Sequence, residues 1–284
     1  MLLAVSRLLA ALPLSFLQNA GRLIGRIVYR FPGKYRNRLQ ANMRQAGYTD
    51  TALMRRAAAE AGAMMSEIPK IWMRTEDVLS KTVVSGDTEV IPQALAEGRG
   101  VIYLTPHLGG FEITPRYLLR YGPITVMFRP PRKAILEPLI TSSRKMPGLR
   151  TVPTNMQGVR EFVRALKRGE AIGMLPDQVP GEGDGVWAPM FGRHALTMTL
   201  AGKLARQTNA VLIIMASERL PKGQGWRIHI NRVPDPLPEN PVEMATLINQ
   251  SMETMIRRFP EQYLWGYNRY KSRDDAPPRP EDAQ

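Results

Sequence analysis

The sequence predicts an α/β fold, a central and mostly parallel sheet flanked by helices, with a helical N-terminal segment that associates with a membrane. Strand-like apolar runs at 83–84, 101–104, 124–128, 171–175 and 211–215 alternate with helix-like segments at 91–97, 111–120, 134–145, 158–167 and 196–207. Such alternation is the pattern of βα units that build a parallel sheet. Polar residues able to do chemistry follow two of the runs, His107 after one and Asp177 after another, where sites in such folds lie, at the carboxyl ends of strands. The third observation is the apolar, arginine-punctuated stretch from Met1 to Arg30.

Within that stretch, Leu8 to Leu17 is too short to span a bilayer comfortably, and Arg7, Arg22, Arg26 and Arg30 interrupt any longer window. It reads as an interfacial anchor, with a single tilted span and a plain core helix as the alternatives. A cleaved signal peptide fits less well, because basic residues continue past the apolar run and no small-residue cleavage site follows it. The basic stretch 30–44, with Lys34, Arg36, Arg38 and Arg44, is either a solvated helix face or a surface for anionic headgroups. Thr51 to Arg74 has apolar residues at helical spacing and is expected to be helical, with Pro69 ending or kinking it and the adjacent Met64 and Met65 filling core. After Val233, the Pro-rich 234–238 links to an amphipathic helix over about 241–258, and the polar tail 274–284 is expected to be disordered.

Composition narrows the chemistry. Thirty-nine Lys+Arg against 25 Asp+Glu give a formal charge of +14 over 284 residues, which favours anionic partners: nucleic acid, phosphorylated molecules, an acidic carrier protein or an anionic membrane surface. The absence of cysteine excludes disulfides, a thiolate nucleophile and Cys-ligated zinc. Three scattered histidines argue against any dedicated zinc site, and no metal ligand set is expected.

His107-Leu-Gly-Gly-Phe-Glu112 begins just past the run 101–104. On a continuous helix, five residues turn about 500°, which points two side chains apart by roughly 140°; a strand-to-helix turn lets them meet. A histidine held by a carboxylate is a general base of fixed tautomer, and Gly109 and Gly110 let a substrate approach the backbone. The alternative is a structural His–Glu hydrogen bond. Asp177-Gln178 offers a carboxylate and an amide suited to orienting a base or holding hydroxyls, or else to capping a turn. Arg129 follows the run 124–128 and Arg144 lies one helix later; guanidinium groups there can clamp phosphate or carboxylate, or simply be solvated.

His107-x4-Glu112 resembles the H-x4-D/E motif of the glycerolipid acyltransferase superfamily, and the wider pattern resembles its lipid A biosynthesis (lauroyl and myristoyl) acyltransferase branch. Arg129 and Arg144 sit at that branch's basic block, and Leu175-Pro-Asp-Gln178 at its Asp-Gln segment. Val186 to Gly192 with Ala195 and Thr197, and Gln262-Tyr-Leu-Trp265 with Arg269 and Lys271, match its later segments. The resemblance runs to about residue 273. It implies a glycerolipid-acyltransferase-like domain over 31–273 behind an anchor or interfacial helix over 1–30.

It further implies an O-acyltransferase that uses no cofactor and forms no covalent acyl-enzyme. His107 would be the base and Glu112 would fix and charge-stabilise it. Arg129, Arg144, Asp177 and Gln178 would bind substrate; the sequence names no oxyanion donor, and the backbone amides around Gly109 and Gly110 are candidates for it. The expected donor is acyl-acyl carrier protein, or acyl-CoA; the expected acceptor is a lipid A precursor at the cytoplasmic face of the bacterial inner membrane. Another membrane glycolipid or a lysophospholipid is the alternative acceptor. A basic nucleic-acid-binding protein is the reading from another class; few aromatics interleave the basic residues, so no nucleic acid is expected. A hydrolase using the same pair is the third, and no Gly-x-Ser-x-Gly elbow supports a serine esterase.

Overall fold

The computed structural model describes residues 2–128, 137–181 and 183–281. Among the described residues five helices precede the sheet, the first four being α1 (Leu2–Ala11), α2 (Leu14–Arg30), α3 (Lys34–Gln45) and α4 (Thr51–Met73). Asp50 caps α4, its carboxylate accepting from the Ala52 and Leu53 amides at 2.8 and 3.1 Å. Pro69 sits inside α4 without ending it. Met64 is buried but its neighbour Met65 is exposed, because successive residues on a helix point about 100° apart and only one can face the core.

The remaining elements follow in order: α5 (Thr75–Ser80), β1 (Thr82–Ser85), α6 (Val90–Ala96), β2 (Val101–Leu104), α7 (Ile113–Leu118), β3 (Ile124–Phe128), α8 (Glu137–Arg144), β4 (Leu149–Pro153), α9 (Met156–Lys167), β5 (Ala171–Met174), β6 (Val186–Met190), β7 (Arg193–Thr197), α10 (Leu200–Thr208), β8 (Val211–Arg219), β9 (Trp226–Arg232) and α11 (Pro241–Arg258). Among the described residues seven strands form one sheet in the order β1-β9-β8-β2-β5-β3-β4. Every pairing in it is parallel except β8 with β9.

The expected mixed α/β architecture is present, with three additions. β4 and β9 join the sheet, and β6 and β7 form a separate antiparallel hairpin. The helix expected over 196–207 begins only at Leu200, since Leu196 and Thr197 belong to β7. β2 is central and buried along its whole length, which is why it reads as a continuous apolar run instead of an alternating one. Its side chains still divide by pleat: Ile102 and Leu104 enter the core that contains Phe162 and Met252, while Val101 and Tyr103 enter the core that contains Ile113 and Trp226.

Among the described residues no single helix is long and apolar enough to cross a membrane; α1 and α2 meet that criterion only as a pair bent by 116°. α2 packs across α4 at close range. A Cβ on Gly62 would lie 2.0 Å from the Gly21 carbonyl oxygen, so small residues set this crossing. Beside it lies a buried ion cluster in which Arg219 donates to Glu67 at 2.7 and 2.8 Å and to Glu60 at 2.7 Å, while Arg22 donates to Glu60 at 2.6 Å. At the other end of the chain, part of the tail expected to be disordered lies against the hairpin: Trp187 donates to the Pro277 carbonyl at 2.8 Å.

Candidate active site

β2 and β5 are neighbours in parallel register, with Leu104 opposite Met174. His107 and Asp177 each stand three residues beyond that pair, so equal excursions past adjacent strand ends bring them together. The Thr105 amide prolongs the ladder by donating to the Met174 carbonyl at 3.0 Å. Asp177 then takes two donors from one residue, the His107 backbone N–H at 2.8 Å and the ring nitrogen Nδ1 at 2.7 Å. This fixes the tautomer, with the proton on Nδ1 and the lone pair on Nε2. The Gln178 amide nitrogen, 3.2 Å from Nε2, is the matching donor.

Burial works against the imidazolium, but the Asp177 charge and hydrogen bond, with the Glu112 charge behind them, outweigh it and hold His107 above its ordinary pKa. Burial likewise opposes ionisation of Asp177; His107 and the buried Arg269 nearby overcome it, and the carboxyl stays below the usual range. Asp177 is 2% exposed and the His107 side chain 15%, so the imidazole reaches solvent and the carboxylate that orients it does not.

Glu112 is placed differently from its expected role. Its carboxylate accepts from Trp72 Nε1 at 2.9 Å, Arg144 at 2.7 Å and Arg116 at 3.3 Å. Burial raises its pKa, and the two guanidinium charges with the indole bond lower it by more. The hydrogen bond that orients His107 comes from Asp177, and Glu112 reaches the imidazole through its charge alone. Trp72 and Arg116 were not foreseen as part of the site. The i to i+4 spacing of Glu112 and Arg116 was the available sequence signal for one of them; Trp72 comes from α4 and carried none.

The glycines are also reassigned. The Gly109 amide donates to the Gln262 carbonyl at 3.0 Å and the Gly110 amide to the Ser217 carbonyl at 2.8 Å, so neither is available as an oxyanion donor. Their lack of a side chain serves packing: at Gly109, where φ is +55°, a Cβ would meet the Ser217 oxygen at 1.9 Å, and at Gly110 it would meet the Trp226 ring at 2.6 Å. The segment 262–267 clamps this turn from outside. Gln262 exchanges two side-chain bonds with the Arg219 backbone at 2.7 and 3.1 Å, and the Leu264 amide donates to the His107 carbonyl at 3.0 Å.

His107, Glu112, Arg144 and Gln178 share the wall of a cavity of about 500 Å³ whose other lining is largely apolar, including Leu118, Val126, Met127, Met174 and Met198. That volume lies in the range of small-molecule sites, which is roughly 300–1,000 Å³. A neutral imidazole Nε2 beside an apolar chamber can take a proton from a hydroxyl held next to a hydrophobic chain. Arg129 lies outside the described residues. Among the described residues no group of three or more His, Asp and Glu side chains could hold a metal ion.

The family model for bacterial lipid A biosynthesis acyltransferases matches residues 1–272. A lipid A biosynthesis acyltransferase of Haemophilus influenzae is 27% identical, over 77% of this chain and 68% of its own length. A lipid A biosynthesis palmitoleoyltransferase of Escherichia coli is 26% identical, over 75% and 69%. A lipid A biosynthesis lauroyltransferase of the same species is 28% identical, over 67% of this chain and 62% of its own length.

Proposed function

The chain belongs to the bacterial lipid A biosynthesis acyltransferase family, and from that premise we propose that it moves a fatty acyl chain from acyl-acyl carrier protein to a hydroxyl of a lipid A precursor. The observation that carries the mechanism is His107, with Nδ1 held by Asp177 and Nε2 facing an apolar cavity.

The acceptor hydroxyl displaces Gln178 from Nε2 and gives its proton to that nitrogen. Its oxygen then forms the new bond to the thioester carbonyl carbon. The tetrahedral intermediate collapses by breaking the carbon–sulfur bond, and the leaving thiolate recovers the proton from Nε2. Asp177 holds the ring and stabilises the transient imidazolium. The displaced Gln178 amide is an oxyanion donor in place of the occupied glycine amides. Glu112 with Arg144 presents a polar edge for the acceptor's sugar, and the apolar wall accepts the acyl chain.

Two features support action at the cytoplasmic face of the inner membrane. Leu8, Phe16, Leu23, Ile24 and Phe31 on and just after α1 and α2 are more than half exposed, giving an apolar surface that can enter the headgroup boundary. The +14 charge suits an acidic carrier and a phosphorylated glycolipid.

Mass spectrometry of a phosphorylated lipid A precursor incubated with acyl-acyl carrier protein and detergent-purified protein tests the proposal. The expected result is a gain of one acyl group, lost in folded His107→Ala. No gain with any donor chain length from folded wild-type protein would remove this acceptor and donor pair.

A further inference from the structure

On α2 an outward row is apolar, as is the inward face apart from Gln18, which donates to Glu67 at 3.0 Å. Leu14, Leu17, Gly21, Gly25 and Tyr29 are buried, whereas Phe16, Leu23, Ile24, Ile27 and Val28 are exposed. At about 100° per residue, Arg26 and Arg30 fall on the flank between the outward Leu23–Ile27 row and the buried Tyr29. That flank opens into a surface cavity of about 560 Å³ lined by Arg26, Tyr29, Arg30, Arg36 and Arg55, so α2, α3 and α4 all contribute.

We infer that Arg26, Arg30, Arg36 and Arg55 form a pocket for the phosphate headgroup of an anionic bilayer phospholipid. Arg22, one turn before Arg26, is paired with Glu60 at 2.6 Å. None of the four pocket arginines has a carboxylate within ion-pair distance among the described residues. Like charges gathered at helical spacing repel one another, and a bound anion relieves the repulsion. The cradle is partly rigid: the Arg36 guanidinium stacks 5.3 Å from the centre of the Tyr29 ring, and the buried Tyr29 hydroxyl accepts from Gln40 at 3.0 Å. Planar guanidinium groups match phosphate oxygens two at a time. The outward apolar row beside the pocket would lie among acyl chains while the arginines meet the headgroup level.

The pocket is separate from the cavity at His107. Arg55 is in the first turns of α4 and Trp72, which touches Glu112, is at its end; seventeen residues of helix at 1.5 Å each separate them by about 25 Å. This separation favours a bilayer lipid over the reacting acceptor as occupant. The inference rests on the reading that the protein works at a membrane, and not on the acyl-transfer chemistry.

The test is co-sedimentation of the full-length protein with phosphatidylcholine vesicles, with and without phosphatidylglycerol. It compares wild type, the combined variant Arg26→Gln/Arg30→Gln/Arg36→Gln/Arg55→Gln, and a control that removes as many charges from exposed positions on and next to α9, Arg160→Gln/Arg164→Gln/Lys167→Gln/Arg168→Gln. Wild type and control should bind phosphatidylglycerol vesicles at least about tenfold more tightly than phosphatidylcholine alone, and the pocket variant should lose that preference. The pair Arg30→Gln/Arg55→Gln serves if the combined variant misfolds. Equal losses in pocket variant and control would overturn the pocket and leave only diffuse charge. A rise of about tenfold in KM for a phosphorylated acceptor in detergent, with vesicle binding unchanged, would overturn it in favour of the acceptor. Failure of wild type to transfer an acyl chain would remove the proposed function without touching the vesicle result.

Discussion

The Asp177 carboxylate accepts both the backbone N–H and the ring Nδ1–H of His107, so replacing it by an amide changes tautomer and charge together. In Asp177→Asn, kcat should fall on the order of a thousandfold or more, by analogy with the tautomer error in Ser-His-Asp enzymes. His107 must be neutral to act as a base, so the wild-type rate should rise with pH through a value above about 6.5, the ordinary imidazole pKa. Without Asp177 the burial that opposes the imidazolium dominates, and the limb should move to lower pH. A pH profile of kcat/KM in the variant that keeps the wild-type limb would remove Asp177 from its orienting role. Glu112→Gln has a different expected signature. It leaves the fully buried Arg116 side chain without its carboxylate, and removing one partner of a buried pair costs about 3–5 kcal/mol. Denaturant unfolding should show that loss; unchanged stability would mean that Glu112 is no structural hub.

At the scale of elements, the α2–α4 crossing governs how the N-terminal helices are held. Gly62→Ala would drive a methyl to 2.0 Å from the Gly21 carbonyl oxygen. Backbone cannot rotate away as a side chain can, so overpacking should cost about 1–3 kcal/mol and the helices should separate slightly. A lowered thermal midpoint is the expected outcome, and an unchanged one would show that the crossing is looser than the structure has it. The same pair of helices connects to the site through α4, which carries Glu60 and Glu67 against Arg219 and Trp72 against Glu112. Arg219 also donates to the Gly109 carbonyl at 3.3 Å, so the turn that presents His107 is braced by the N-terminal helices as well as by the sheet.

For the whole molecule, stability should depend on pH from both sides. Glu60, Glu112 and Asp177 are held below their ordinary values. Their stabilisation is therefore present above the unfolded carboxyl values near 4 and is lost as pH falls through the lower folded ones. His107 is held above its ordinary value; its contribution is complete below about pH 6.5 and is lost as pH rises through the folded value. Because His107 and Asp177 titrate as a coupled pair, Asp177→Asn should flatten the alkaline side in particular. Guanidinium midpoints measured across pH 3 to 9, about the range that brackets these groups, check both slopes. A wild-type profile with no alkaline decline would mean that the His107 pair adds nothing to folding.

Local pattern determined much of this protein. Unbroken apolar runs such as 101–104 marked strands buried on both faces, and the polar residues just beyond them marked the site, because a parallel sheet gathers its strand exits at one edge. That reasoning put His107, Asp177 and Gln178 at one edge of the sheet, and the structure has them hydrogen-bonded to one another there. β9, Trp226–Arg232, is of another kind: Trp226, Ile228 and Ile230 alternate with polar residues, the period of a strand, and a reading built on unbroken apolar runs passes over it. The partner of each polar group was a tertiary matter. Glu112 is five residues from His107 and Asp177 is seventy, yet the in-register pairing of Leu104 with Met174 brings the distant carboxylate to the ring and turns the near one toward Arg116, Arg144 and Trp72. Residue type and spacing chose which groups could react; strand register and the α4 crossing, set by the packing of segments far apart in the chain, decided which of them meet.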